Sequence, residues 1–237
     1  MARKTKQEAQ ETRHHLLDAA ERLFQRQGVS RTSLQQIAEE AGLTRGAIYW
    51  HFKDKAELFQ AMMDRATMPL EQGMSLAPED EEVPLSLAEL RWGLVNIFHC
   101  AVHNERTRRV FEIVSHKVEY TGEMQSLKAR KLEAHQQWRQ QNGACFERAI
   151  AEGLLPQGLD TQRAAITLMA LVGGLIDEWV MAPDSFDLLE VGQSAIEGFL
   201  NSLSGSRQPL LPPLTADELA RLGQLPVCPL RTEPAAG

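Results

Sequence analysis

Residues 32–55 read T-S-L-Q-Q-I-A-E-E-A-G-L-T-R-G-A-I-Y-W-H-F-K-D-K, and this stretch predicts two short helices joined by a tight turn. Ser33 and Gln36 have the spacing of a capping box at the start of the first helix. Gly42 permits the left-handed backbone that such a turn needs, and Thr44 can cap the second helix. The pattern predicts a helix-turn-helix whose second helix reads DNA.

The second predicted helix has an outward face of small and polar residues. Gly46 and Ala47 are small enough to let the helix approach base edges. Tyr49, His51 and Lys55 offer hydrogen-bond donors or charge around the same face.

The rest of the chain also follows the helical period, with further helices expected at about 85–103, 106–118, 123–153, 160–181 and 186–203. No stretch alternates with period two for long enough to predict a strand. Six of the 11 prolines follow Gly205, so we expect residues 205–237 to form an irregular, Pro-rich tail. The fold class expected from these patterns is all-α.

Composition limits the classes of protein to consider. The chain has 237 residues, 43% of them hydrophobic and 24% charged, which is ordinary for a globular protein with a real core. Three cysteines are too few for a disulfide framework. No apolar stretch follows the basic N-terminus, and the longest strongly apolar run, residues 164–176, is shorter than the ~20 residues that span a bilayer. We therefore expect a cytoplasmic protein that does not enter the membrane.

Charge is distributed unevenly, although the net charge is −7. Residues 1–65 hold 11 Lys and Arg against 9 Asp and Glu, whereas the remaining residues hold 14 against 23. A mildly basic head on an acidic body suits a protein that places one end on phosphates.

Enzyme and metal-site signatures are weak. The sequence contains no P-loop, G-x-G-x-x-G, G-x-S-x-G or H-E-x-x-H motif, so we expect no enzymatic activity and no cofactor. His99 and His103 have the i, i+4 spacing of a metal pair, but no further ligands complete a site in sequence. We therefore predict no metal site.

The block A-G-L-T-R-G-A-I-Y-W-H-F at residues 41–52 resembles the hallmark of the TetR family of transcriptional regulators. Residues 12–65 are similar to the DNA-binding domain of that family, and T-R-G-A-I-Y-W-H-F-K-D-K-A-E-L-F at 44–59 is closest to the AcrR-like repressors of multidrug efflux pumps. A looser similarity continues to about residue 185.

The resemblance implies an all-helical homodimer with a TetR-like fold. The DNA-binding domain would cover residues 1–54, with 1–9 as a flexible basic arm, and a regulatory and dimerisation domain would cover 55–204. The helices at about 160–181 and 186–203 would pack against their copies in the partner, and both have broad apolar faces.

By the family pattern, bases of double-stranded DNA would be read by Arg45, Gly46 and Ala47. Phosphates would be held by Thr32, Ser33, Thr44, Tyr49, His51 and Lys55. Two interpretations stay open. Trp50 either contacts the DNA or packs against the N-terminal helix that the apolar residues from Leu16 to Phe24 predict before Gly28. The arm with Lys4 and Lys6 either reaches a neighbouring groove or only increases solubility.

A repressor that responds to a ligand needs a pocket in its regulatory domain. Aromatic, Met and small residues on facing helices are candidates for a small hydrophobic or aromatic effector. The candidate ligand-binding residues are Trp92, Val95, Phe111, Ser115, Trp138, Phe146, Met169, Val172, Gly173, Ile176 and Asp177. Each of them would otherwise be core, and Asp177 is either an acidic pocket wall or a surface or interface charge.

The function expected from these residues and from the resemblance is a homodimeric repressor, released from a palindromic operator by such effectors and controlling a multidrug efflux operon. Two alternatives remain from the sequence. One is a DNA-binding regulator without a ligand or under the control of a partner protein, and the other is an activator of the same family.

Overall fold

The structure is a computed structural model that describes residues 6–74 and 84–205, with side chains described at 7–66 and 84–205. Within these ranges the chain is all-helical and forms no strand. The α-helices are α1 (Lys6–Gln27), α2 (Leu34–Glu40), α3 (Arg45–His51), α4 (Lys55–Met74), α5 (Leu87–His103), α6 (Glu105–Glu112), α7 (Gln125–Ala151), α8 (Thr161–Met181) and α9 (Leu188–Leu203). A π-helical turn (Ile113–Lys117) and a 3₁₀ turn (Gly122–Met124) connect α6 to α7.

The helix-turn-helix forms as the sequence predicts. The Ser33 hydroxyl accepts a hydrogen bond from Gln36 N, and the Gln36 side chain accepts one from Ser33 N, which completes the capping box of α2. Gly42 has φ +69°, and Leu43 N donates to Ala38 O at 2.8 Å across the turn. The turn thus fixes the angle at which α3 leaves α2.

Two apolar clusters form the interior. The first joins α1–α4 through residues such as Phe24, Ile37 and Phe52, and it extends to Val110 of α6 and Leu127 of α7. The second holds α5, α7, α8 and α9 together. The apolar core of α1–α4 therefore continues past residue 54 and includes the beginning of α7.

Two expected boundaries differ from the structure. Helix α1 begins at Lys6, so the arm expected over residues 1–9 is helical from residue 6, and residues 1–5 lie outside the described part. The helix expected over 106–118 leaves the α-helical geometry at Ile113, where the backbone takes up π-helical hydrogen bonding. The Pro-rich tail expected at 205–237 lies outside the described residues from 206 onward.

Helix α8 is longer than the apolar run within it. Its most apolar 18-residue window has a mean hydropathy of 1.6, so by length and composition alone the helix could cross a membrane. In the fold, α8 instead packs against α7 and α9, with Ala165 and Leu168 fully buried.

Candidate nucleic-acid interface and effector site

Helix α3 is held by apolar residues on one side and leaves the other side free. Ile48 and Phe52 are buried, and the Arg13 guanidinium of α1 lies 5.0 Å from the centre of the Phe52 ring. The Thr44 hydroxyl accepts a hydrogen bond from Ala47 N at 3.3 Å, which caps the helix. The outward residues are Thr44, Arg45, Gly46, Tyr49 and Trp50, with Ala47 and His51 half-buried beside them.

Two aromatic residues on this face point away from the core. The Arg45 guanidinium lies over the Tyr49 ring at 5.6 Å, so both side chains stand on the same exposed side of α3. Trp50 is 72% exposed and meets the His51 ring edge-on at 4.5 Å. The alternative in which Trp50 packs against α1 is therefore wrong.

Thr32 was expected to contact phosphate, but its side chain is buried. Ser33, expected in the same role, is accessible to solvent. Thr32 is buried; its hydroxyl donates to Gly28 O at 2.7 Å and accepts from the Gln27 side-chain amide at 3.2 Å. Ser33 is exposed at the N-cap of α2. The Thr32 side chain thus supports the loop between α1 and α2 rather than facing solvent.

Lys55 also differs from its expected role as an exposed phosphate contact. Its side chain is 6% exposed, and its ammonium donates to Val29 O and Thr32 O, each at 2.9 Å. The third partner is Glu123, whose Oε1 lies 2.6 Å from Nζ. The sequence could not reveal this arrangement because Glu123 lies far away along the chain.

A cavity of about 440 Å³ opens beside these groups. The hydroxyl groups and cations that line the cavity come from two segments. One is the loop between α1 and α2, and the other is the junction of α3 with α4. The polar lining residues are Ser30, Arg31, Thr32, Ser33, Tyr49, Lys53, Asp54, Lys55 and Glu123. Four of the expected phosphate contacts, Thr32, Ser33, Tyr49 and Lys55, therefore line one cavity.

Ion pairs connect α1 and α4 to α6. Glu21 of α1 is buried among the guanidinium groups of Arg65, Arg106 and Arg109, and Arg65 also lies 2.8 Å from Asp18. Burial raises the pKa of the Glu21 carboxyl, and the nearby Arg65 and Arg106 charges oppose that shift. The cluster joins α1, α4 and α6.

The turn that follows α6 makes a second connection. Val29 N donates to Lys117 O at 2.9 Å, which joins the loop after α1 to the π-helical turn. The Gln25 amide donates to the Glu112 carboxylate at 2.7 Å. A movement of this turn would therefore be transmitted to the α1–α2 loop through the Val29–Lys117 hydrogen bond.

The candidate ligand-binding residues fall into three groups in the structure. Phe146 and Val172 are buried in the second apolar cluster. The partly buried residues are Val95, Phe111, Trp138, Met169 and Ile176. The exposed residues are Trp92, Ser115, Gly173 and Asp177. A Cβ added at Gly173 would meet open space, so the glycine leaves room beside α8.

Comparison with known proteins gives a consistent result along the chain. Residues 16–62 match the N-terminal region of bacterial regulatory proteins of the tetR family, and residues 84–204 match the C-terminal region of MAATS-type transcriptional repressors. The chain is 45% identical over 193 residues to the HTH-type transcriptional regulator AcrR of Shigella flexneri, covering 79% of this chain and 87% of AcrR. The chain belongs to the TetR family of transcriptional regulators.

Solved structures agree with the family assignment. The structure matches NalD, the secondary repressor of the MexAB-OprM multidrug efflux pump in Pseudomonas aeruginosa, with a TM-score of 0.74 and 32% identity over 84% of this chain and all of NalD. It also matches the SmeT–triclosan complex, with a TM-score of 0.72 and 30% identity over 86% of this chain and 96% of SmeT. SmeT is the repressor of the Stenotrophomonas maltophilia multidrug efflux pump SmeDEF.

These findings confirm the expected fold class and the resemblance to the AcrR-like group. The chain is a TetR-type transcriptional repressor related to repressors of efflux pumps, and not an enzyme.

The TetR-family body contains a groove that the sequence analysis missed. It has a volume of about 550 Å³ and lies between α4 and α7, with Phe59, Met63, Val114, Tyr120 and His135 in its wall. Burial, together with the charges of Lys131 and Arg139, lowers the pKa of His135. The apolar stripe of α4 was the available signal, but only the packed structure places it opposite α7.

Asp177 contacts the π-helical turn. Its Oδ1 lies 3.8 Å from His116 Nε2, and its backbone carbonyl lies 3.3 Å from the same nitrogen. The carboxylate is thus placed at the junction of α8 with the turn that carries Lys117.

His99 and His103 of α5 lie close together, but no third metal-ligating side chain in the described residues completes a site with them. The ring centres of His99 and His103 lie 4.3 Å apart, as their spacing on one helix face predicts. In residues 6–74 and 84–205, no group of three or more His, Cys, Asp and Glu side chains is arranged to hold a metal ion.

Proposed function

We propose that this TetR-type repressor binds a palindromic operator as a homodimer and controls a multidrug efflux operon. The observation that carries the proposal is the outward face of α3, where Arg45, Gly46 and Ala47 adjoin the exposed rings of Tyr49 and Trp50. Small residues and a guanidinium on a capped helix suit the major groove. Arg45, Gly46 and Ala47 would read bases.

The phosphate contacts would surround this face. Thr44, Tyr49, His51 and the exposed Ser33 can donate hydrogen bonds to phosphate oxygens. Trp50, being exposed, would lie against the sugar-phosphate backbone. Lys4 lies outside the described residues and Lys6 is the first residue of α1, so residues 1–5 would extend the contact as a short arm.

The dimer would form through α8 and α9. Large apolar side chains are exposed there, with Ile166 at 47%, Met181 at 65% and Val191 at 39%. Gly173 and Gly174 have no neighbouring atoms within 4 Å of an added Cβ, which would allow a close helix crossing. Exposed apolar patches of this kind are typical of protein interfaces. Two copies of α3 would then reach successive major grooves.

The effector would be a small hydrophobic or aromatic molecule. SmeT, which is 30% identical to this chain, has been solved with triclosan bound. Trp92, Val95, Phe111, Trp138 and Met169 lie on helices that surround the second apolar cluster. An effector among them would favour a state with a different spacing of the two DNA-binding heads, and a coupling of about 1–3 kcal/mol is typical for such responses.

The efflux assignment rests on NalD and SmeT, both of which repress multidrug efflux pumps. A cytoplasmic location follows from binding to DNA. The alternative of a regulator that needs no ligand shares the same α3 face, and only a response to an effector distinguishes the two.

The test is fluorescence anisotropy with labelled DNA from upstream of the chain's own gene, at fixed salt and with excess nonspecific competitor. Competitor is needed because charge alone gives micromolar binding. We expect competitor-resistant binding and a fall in anisotropy when triclosan is added. Binding that disappears with competitor would contradict control of its own promoter, and binding that no drug reverses would favour the ligand-independent regulator.

A further inference from the structure

The Lys55 ammonium has three directed partners, and only one of them carries a charge. Two N–H groups go to the carbonyls of Val29 and Thr32 at 2.9 Å, and the third meets the Glu123 carboxylate at 2.6 Å. An ammonium group has three donors and no acceptor, so Glu123 occupies the last one. Any other anion at Lys55 must take the position that Glu123 holds.

The surroundings of Lys55 are those of an anion site. Ser33, Tyr49, Arg31 and Lys53 line the same cavity of about 440 Å³. Of the acidic groups in its wall, Asp54 is already engaged, because its Oδ1 accepts a hydrogen bond from Glu57 N at 2.8 Å. Hydroxyls and cations around a recessed ammonium are the groups that bind phosphate oxygens.

Glu123 is the partner that can leave. Its side chain is 58% exposed, whereas the Lys55 side chain is 6% exposed. The lysine is therefore fixed by the protein, and the carboxylate reaches it from the solvent side. Because the Glu123 side chain is more than half exposed, its carboxylate regains water when it leaves the ion pair.

Glu123 belongs to the regulatory body, by which we mean α5–α9 and the turns that connect them. It lies in the 3₁₀ turn Gly122–Met124, directly before α7, and Met124 is buried against the core of the DNA-binding helices. Helix α7 also carries Trp138 and Phe146, two of the candidate effector contacts. A displacement of α7 along its axis would therefore move the carboxylate relative to Lys55.

We propose that Glu123 holds the place of a DNA phosphate at Lys55, so that the regulatory body competes with DNA for this cation. The inference rests on the proposed function, since it assumes that the α3 face meets duplex DNA. When DNA binds, a backbone phosphate replaces the carboxylate and the exposed Glu123 turns into solvent. When α7 moves so that Glu123 pairs with Lys55, the phosphate loses its partner. The affinity for DNA then falls because this contact is lost.

The test compares Glu123→Gln with wild type by anisotropy on two duplexes of equal length, one with the operator and one scrambled. The amide cannot pair as an anion but still accepts a hydrogen bond, so Lys55 keeps a partner. Glu133→Gln is the matched control, because it removes the same charge from an exposed position further along α7.

We expect Glu123→Gln to bind both duplexes more tightly, by about threefold to tenfold, because phosphate contacts do not depend on sequence. The control should stay within about twofold of wild type. Equal affinities of Glu123→Gln and the control, or weaker binding by Glu123→Gln, would overturn the inference. A failure of the proposed function is distinguishable from this outcome. In that case the wild-type protein itself would bind the operator and the scrambled duplex equally well.

Discussion

The Arg65 guanidinium lies against the Glu21 carboxylate in the interior, where 1% of the Glu21 side chain is exposed. Arg106 and Arg109 approach the same carboxylate at 3.8 Å, so one buried acid faces three guanidinium groups. Because α1, α4 and α6 each contribute to this cluster, it joins the DNA-binding helices to the regulatory body.

Removal of the Glu21 carboxylate should therefore destabilise the whole chain. Glu21→Ala removes the buried acid that faces three guanidinium groups and leaves Arg65 with its ion pair to Asp18. Removing one partner of a buried ion pair costs about 3–5 kcal/mol in the free energy of unfolding. Urea unfolding followed by circular dichroism at 222 nm measures the change. Glu11→Ala, at an exposed position of the same helix, is the control and should stay within about 0.5 kcal/mol of wild type. A loss below about 1 kcal/mol for Glu21→Ala would contradict this role.

Ile166 should matter for assembly rather than for the fold of one chain. It is 47% exposed on α8, so Ile166→Glu leaves the core intact but places a charge in the proposed dimer interface. We expect the dimer dissociation constant from analytical ultracentrifugation to rise at least about tenfold. Leu154→Glu, at a position 58% exposed in the loop after α7, should leave it unchanged. Equal dissociation constants for the two variants would place the interface elsewhere.

A substitution at Trp92 tests whether this residue contacts the effector or only contributes to the apolar core. It is 49% exposed, so Trp92→Ala should lower the free energy of unfolding by less than about 1 kcal/mol. If the ring contacts the effector, calorimetric titration with triclosan should show an affinity reduced by about tenfold. Trp50→Ala, at a 72% exposed position on α3, is the matched control and should bind triclosan like wild type. An unchanged affinity in Trp92→Ala would remove this residue from the site.

Cys145 should make the fold sensitive to alkaline pH. Burial raises the pKa of its thiol to about 12, against about 8.5 for an unfolded cysteine. Between pH 9 and 11 the unfolded state therefore releases a proton that the folded state retains, and stability falls as pH rises, by about 1.4 kcal/mol per pH unit from this group. Urea unfolding at several pH values should show a shallower decline for Cys145→Ala than for wild type. Parallel declines would mean that the thiol titrates normally in the folded chain.

Labelling offers an independent check on the same residue. In native protein at pH 8, iodoacetamide should leave Cys145 unmodified, because the thiol is both fully buried and protonated. Cys100, which is partly exposed, should react before Cys145 even though burial raises its pKa as well. Peptide mass spectrometry distinguishes the two.

The sequence predicted the local features of the head because they depend on neighbours within one helical turn. The Ser33–Gln36 capping box, the positive φ of Gly42 and the Thr44 cap all follow from residues three or four positions apart. The exposed α3 face followed as well, since the apolar residues Ile48 and Phe52 determine which side is buried.

Long-range contacts were not predictable in the same way. Lys55 was expected at the surface, and its burial depends on Glu123 and on carbonyls of the α1–α2 loop. The groove between α4 and α7 likewise needs the packed structure, because Met63 and His135 become neighbours only when the helices meet. A helical stripe shows that a residue packs, but it does not show what the residue packs against.

The measurement that tests the central claim most directly is the operator specificity of wild type and Arg45→Ala. It compares dissociation constants for the operator and a scrambled duplex at fixed salt, with Glu39→Ala, exposed on α2, as the control. Because a bidentate contact to guanine carries about 1–3 kcal/mol of discrimination, we predict that Arg45→Ala reduces the wild-type preference for the operator by about tenfold or more, while the control keeps it. The same preference in wild type and Arg45→Ala would contradict the claim that α3 reads the operator through Arg45.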